Sequence, residues 1–117
     1  MKNFGNAVTF YKRADGALVG YQSKGHSGYA QAGSDIVCAG ISALTQSTLN
    51  GLLNVAQVPL KYEIDDQKAL LKAIITPDAT EKQLEKAQLL LETLLQGLQA
   101  IERSYPRNIR ISYEERR

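Results

Sequence analysis

The chain has 117 residues, 44% hydrophobic and 22% charged, and its fourteen basic and twelve acidic side chains leave a formal charge of +2. Such a composition excludes a disordered tract, and scattered charges with so small an excess exclude a nucleic-acid groove built on basic residues. One cysteine excludes an internal disulfide, so the fold is expected not to depend on an oxidising compartment.

A chain of this size buries one core without metal or disulfide, so residues 1–117 are expected to form a single domain. The sequence opens on Lys2, Asn3, Gly5 and Asn6 rather than on an apolar leader. The longest apolar-looking run, Ile36 to Leu44, is interrupted by Gly40 and Ser42 and reads as too short to cross a bilayer. A cytoplasmic protein without a membrane partner is the expectation.

In chain order, Ala7 to Tyr11 and Leu18 to Tyr21 are rich in β-branched and aromatic residues, and Asp15-Gly16 lies between them. This predicts a hairpin with strands near 6–12 and 17–23. A glycine-rich loop follows to Gly33, and Ser34 and Asp35 offer N-caps for a helix running from Ile36 to about Val55. Val37, Ile41, Leu44, Thr48, Leu52 and Val55 trace one apolar face of that helix. Gly40, Ala43, Ser47 and Gly51 trace a face of small residues, suited either to close packing inside one subunit, helix on sheet, or to a subunit contact.

Pro59 ends that helix, and Leu60 to Ile64 alternate as a half-exposed strand does. Asp65 to Lys68 reads as a turn. Ala69 to Ile75 fits either a helix or a strand, and the stop at Thr76, Pro77 and Asp78 after about seven residues favours a strand. Thr80 with Gln83 forms a capping-box signature. Behind it Leu84, Leu91, Leu98 and Tyr105 recur with Ala87, Leu94 and Ile101, and Leu90 and Leu95 broaden the stripe into a face suited to a sheet. Gly97 inside this helix implies close packing there. Beyond Pro106, Ile109, Ile111 and Tyr113 alternate as a final strand. The order ββαββαβ predicts an α+β, two-layer fold: a largely antiparallel sheet of about five strands with two long helices on one face.

Gly25 to Leu52 carries the chemistry-bearing residues. Cys38 is expected in the first turn of its helix, where free N–H groups and the helix dipole favour a thiolate and can stabilise an oxyanion. His26 stands twelve residues before it, near enough to act as its base. On residue chemistry alone Cys38 is either a small buried hydrophobe or a nucleophile, and His26 either a loop histidine or its partner. Asp35 is either an N-cap or the group that orients His26, and Ser42 reads first as a small packing residue. One His and one Cys cannot supply four metal ligands within one chain, and the glycines match no phosphate-binding fingerprint, so neither metal nor cofactor is expected.

GHSGYAQAGSDIVCAGISALTQSTLNGL from Gly25 to Leu52, with LETLLQGLQAIERSYPRNIRI from Leu91 to Ile111, closely resembles the ribosomal-processing cysteine protease family, Prp. Gly25-His26 and Asp35-Ile36-Val37-Cys38 match that family's two motifs at its spacing. The departures are Ser27, where alanine is frequent, and a few additional residues before the first strand. The resemblance implies a homodimeric bacterial endopeptidase that removes a short N-terminal extension from the precursor of large-subunit ribosomal protein twenty-seven. It implies Cys38 as nucleophile, His26 as base, Asp35 and Ser42 in support, and Gly25 as the residue that lets the histidine approach. The competing expectation is a non-catalytic ribosome-associated protein whose cysteine is structural or redox-sensing.

Overall fold

The computed structural model describes residues 5–25 and 32–116, with side chains from 36 onward in the second stretch. The elements are β1 (Asn6–Lys12), β2 (Leu18–Gly25), α1 (Ala32–Asn50, continued as a π-helical turn, Gly51–Val55), β3 (Leu60–Asp65), β4 (Leu70–Ile75), α2 (Glu81–Ser104) and β5 (Ile109–Glu115). The sheet order is β3-β4-β2-β1-β5. All neighbours run antiparallel except β1 and β5, which are parallel. This is the two-layer α+β fold that the pattern of elements predicts.

The β1–β2 turn forms for the reasons its sequence suggests. Gly16 takes φ +91°, a left-handed conformation that glycine tolerates, and the Asp15 carboxylate accepts the Ala17 N–H at 3.1 Å. A register shift between Tyr11 and Lys12 skips Val19 in the ladder, and beside it the Gln88 amide of α2 binds Leu18. It accepts the Leu18 N–H at 2.8 Å and donates to the Leu18 carbonyl at 2.7 Å, clamping helix to sheet. The Asp65 turn is real as well, its carboxylate accepting the Gln67 and Lys68 N–H groups at 3.1 and 3.2 Å.

The core lies between the sheet and the helices. Val8, Phe10, Tyr21, Ala73, Leu91, Leu98 and Ile109 are all essentially inaccessible. Tyr21 spans the layers, donating its hydroxyl to the Thr45 carbonyl of α1 at 2.7 Å, and burial pushes its phenol well above the usual value of 10.0. The α2 capping box is complete: Gln83 donates its N–H to Thr80 Oγ1 at 3.1 Å and accepts the Thr80 N–H at 2.8 Å.

Four expectations about the helices are corrected. α1 begins at Ala32, a turn earlier than expected, so Ser34 and Asp35 lie inside it rather than capping it. Alanine is the strongest helix former, and Ser and Asp suit a first turn as well as a cap. At the other end, the π-turn closes with the Ala56 N–H on the Gly51 carbonyl at 2.8 Å. The extra residue per turn rotates the chain beyond Gly51, so Val55 is 80% exposed while Ala56 and Val58 turn inward. Of the small residues of α1, Gly40 packs against α2 rather than against the sheet. A Cβ on Gly40 would sit 3.4 Å from Ile101 Cδ1, and one on Gly97 would sit 3.0 Å from Leu44 Cδ1. Ala43 and Ser47 face solvent instead. Tyr105, at the end of the α2 repeat, is 37% exposed and leaves the stripe.

The continuous segment Ile36–Val55 spans 20 residues and contains a window of mean hydropathy 1.3, long and apolar enough by length and composition alone to match a membrane span, as the core helix of a folded domain also is. This corrects the reading that stopped at Leu44. Here its apolar side chains Val37, Ile41, Leu49 and Leu52 are committed to the core.

Candidate active site

Cys38 lies over the place where β1 begins, β2 ends and β5 begins. Asn6, the first residue of β1, pairs with Gly25 of β2 on one side and Ile109 of β5 on the other. The even-numbered residues of β1 face the helices, so Asn6 points the same way as Val8 and Phe10. Its amide meets the cysteine there. Asn6 Nδ2 donates to Cys38 Sγ at 3.4 Å and to the Asn108 carbonyl at 3.3 Å, while the thiol can donate to Asn6 Oδ1 at 3.7 Å.

The surrounding backbone is shaped for this contact. Gly5 has φ +73°, and a Cβ there would lie 3.3 Å from the Asn108 carbonyl oxygen. A Cβ on Gly25 would lie 3.2 Å from Ala69 Cβ and 3.4 Å from Asn6 Oδ1. Gly25 in turn donates its N–H to the Ala69 carbonyl at 2.8 Å, and Ala69 adopts φ 51°. Thus the strand end leading to His26 is pinned against Asn6 and the β3–β4 turn.

Of the expected site residues, Cys38 is half-buried and free. Gly25 is its neighbour through Asn6. Ser42, one turn farther along α1, is exposed, and its carbonyl accepts the Thr45 hydroxyl at 3.4 Å. His26 and the side chain of Asp35 lie outside the described residues. One detail is corrected: Cys38 is the seventh residue of α1, beyond the four N–H groups a helix leaves free, so its own N–H is not an open oxyanion donor.

A cleft of about 610 Å³ opens at the opposite end of the sheet, lined by Arg13, Lys61, Lys72 and Arg116 over Val19 and Ile74. It is separate from Cys38.

Residues 7–110 match the family model described as cysteine protease Prp. The chain belongs to the Prp family of cysteine proteases. It is 27% identical over 105 residues to the ribosomal processing cysteine protease Prp of Bacillus subtilis, covering 90% of this chain and 94% of that one. To the Prp of Staphylococcus aureus it is 32% identical over 92 residues, covering 77% and 81%. Among solved structures, the S. aureus Prp in complex with a substrate peptide superposes with a TM-score of 0.81 at 28% identity, covering 93% of this chain and 99% of that chain. A Streptococcus mutans protein does so at 0.79 and 29%, covering 95% of each. The S. aureus Prp has also been crystallised with a covalently linked product peptide, a structure matched at 0.78 and 28%, over 93% of this chain and 99% of that one.

Asn6, Gly5 and Asn108 are the site residues that sequence reading missed. For Asn6 a signal existed: it is a polar residue at an inward-facing position of a strand, and such a group needs a partner. Nothing in the sequence named the cysteine as that partner.

Proposed function

We propose that this chain is a cytoplasmic cysteine endopeptidase that removes the N-terminal extension from the precursor of large-subunit ribosomal protein twenty-seven. Cys38 is the nucleophile and His26 its base, with Asp35, Ser42 and Gly25 in support. The observation that carries this reading is the free, half-buried Cys38 at the converging strand ends of a Prp-family chain. The S. aureus relative crystallised with a covalently linked product peptide supports a covalent route.

In this scheme His26 takes the thiol proton and the Cys38 sulfur attacks the scissile carbonyl carbon. The tetrahedral intermediate collapses, the C–N bond breaks, and the leaving amine receives the proton from the imidazolium. Water, deprotonated by His26, then cleaves the thioester and returns the thiol. The chemistry uses no metal or cofactor, the enzyme works as a homodimer, and it needs neither RNA nor a membrane.

The test is to incubate the matching precursor with the protein and with its Cys38→Ala variant and to read the products by mass spectrometry. One cut made by the unsubstituted protein alone supports the reading. An uncut precursor with both proteins folded overturns it in favour of a non-catalytic, ribosome-associated role.

A further inference from the structure

Asn6 has no part in the proposed proteolytic steps, yet its amide touches the sulfur directly. It is 5% exposed, so substrate cannot reach it. Both of its N–H groups are engaged, one on Cys38 Sγ at 3.4 Å and one on the Asn108 carbonyl at 3.3 Å. No donor is left for an oxyanion, and whatever Asn6 contributes passes through the cysteine.

The amide is also held from three sides. Its backbone is paired with Gly25 and with Ile109, and Gly25 lacks the Cβ that would crowd Oδ1. The Asn108 carbonyl fixes which way the amide faces, since reversing it would set two oxygens against each other. That orientation sets an N–H 3.4 Å from the sulfur, nearer than Oδ1 at 3.7 Å, which can bond only the neutral thiol, and an N–H donor is the group that stabilises charge on a sulfur nucleophile.

We infer that Asn6 is a positioning residue for Cys38, anchored by the Asn108 carbonyl, that holds the sulfur in one rotamer and donates to it as it becomes anionic. Its value for catalysis rests on the reading of Cys38 as nucleophile, but the contact itself is testable without a substrate.

The test compares the protein with Asn6→Leu and Asn6→Asp, variants of similar size that lack the N–H donor. Alkylation of Cys38 by iodoacetamide at one fixed pH is expected to slow about tenfold in both, the effect of a hydrogen bond to a charged group. With the ribosomal precursor, kcat should fall by a similar factor while KM stays put, a split that mere loss of packing does not produce. Folded variants that alkylate at the original rate overturn the inference. Should either variant fail to fold, the unsubstituted protein decides: on alkylation of Cys38, one of the two Asn6 side-chain amide protons should shift in the nitrogen-correlated NMR spectrum. If neither moves, the inference fails. Slowed alkylation in a protein that never cuts the precursor would preserve the contact and refute only the proteolytic role.

Discussion

At the Cys38 end of the sheet the polar contacts are enclosed: Asn6 reaches the sulfur at 3.4 Å and the Asn108 carbonyl at 3.3 Å from a site that is 5% exposed. At the hairpin end they stand in water. There Arg13 meets Asp15 at 2.7 Å, with side chains 43% and 60% exposed, and Lys72 and Arg116 lie over the Tyr11 ring. By distance the ion pair is the better contact. By consequence it is the lesser, because solvent already satisfies both charges, whereas an enclosed amide without partners has nowhere to turn.

Four substitutions sharpen that contrast. The largest effect belongs to Cys38→Ala, expected to lower cleavage of the ribosomal precursor by at least about 1,000-fold while the melting temperature stays high. A variant that still cuts would remove the chemistry from this end altogether. Next is Gly20→Ala at the centre of the sheet, where a Cβ would collide with the Ala73 carbonyl oxygen. Backbone cannot yield as a side chain does, so a loss of about 3 kcal/mol in urea unfolding is expected, felt equally at both ends.

Tyr21→Phe removes the buried hydroxyl that donates to the Thr45 carbonyl, and about 1 kcal/mol should go with it. The same variant tests a pH dependence. With the Tyr21 phenol raised above 10.0 by burial, folded and unfolded chains are both neutral there at lower pH, and stability is intact. As pH rises past that value the unfolded chain loses a proton that the folded chain keeps, so stability falls. The fall should be shallower with Phe at position 21, although Tyr11, also raised by burial and by Glu114, retains part of it. The smallest effect is expected from Arg13→Ala, which breaks the exposed ion pair: thermal melts at low and high salt should overlay those of the unsubstituted protein. A clear salt-dependent loss would erase the distinction between the two ends.

The two helices show what sequence makes legible. α2 announces itself because each of its signals is local: Thr80 and Gln83 satisfy each other, and its apolar residues repeat along one uninterrupted helix. α1 is hard to read at both ends because its boundaries rest on competing signals. Ser34 and Asp35 suit a cap and a first turn alike, and a π-turn at Gly51–Val55 has no spacing of its own until the chain is folded. The site divides the same way. Cys38 and Gly25 fall within one stretch, as does His26, the base the proposal calls for, and all three could be named from it. Asn6 is 32 residues from the cysteine, and only the pairing of β1 with β2 and β5 brings them together.

The parallel pairing of β1 with β5 also sets an order of events in time. The Asn108 carbonyl that anchors Asn6 is 102 residues further along the chain. During synthesis β1, β2 and α1 emerge long before it, so a nascent chain can form its hairpin and first helix while one side of β1 still has no neighbour. Until β5 docks, the amide has no anchor and the thiol no fixed aim. The contact that holds the sulfur therefore arrives late, and a cysteine protease of this build leaves the ribosome with its thiol not yet set.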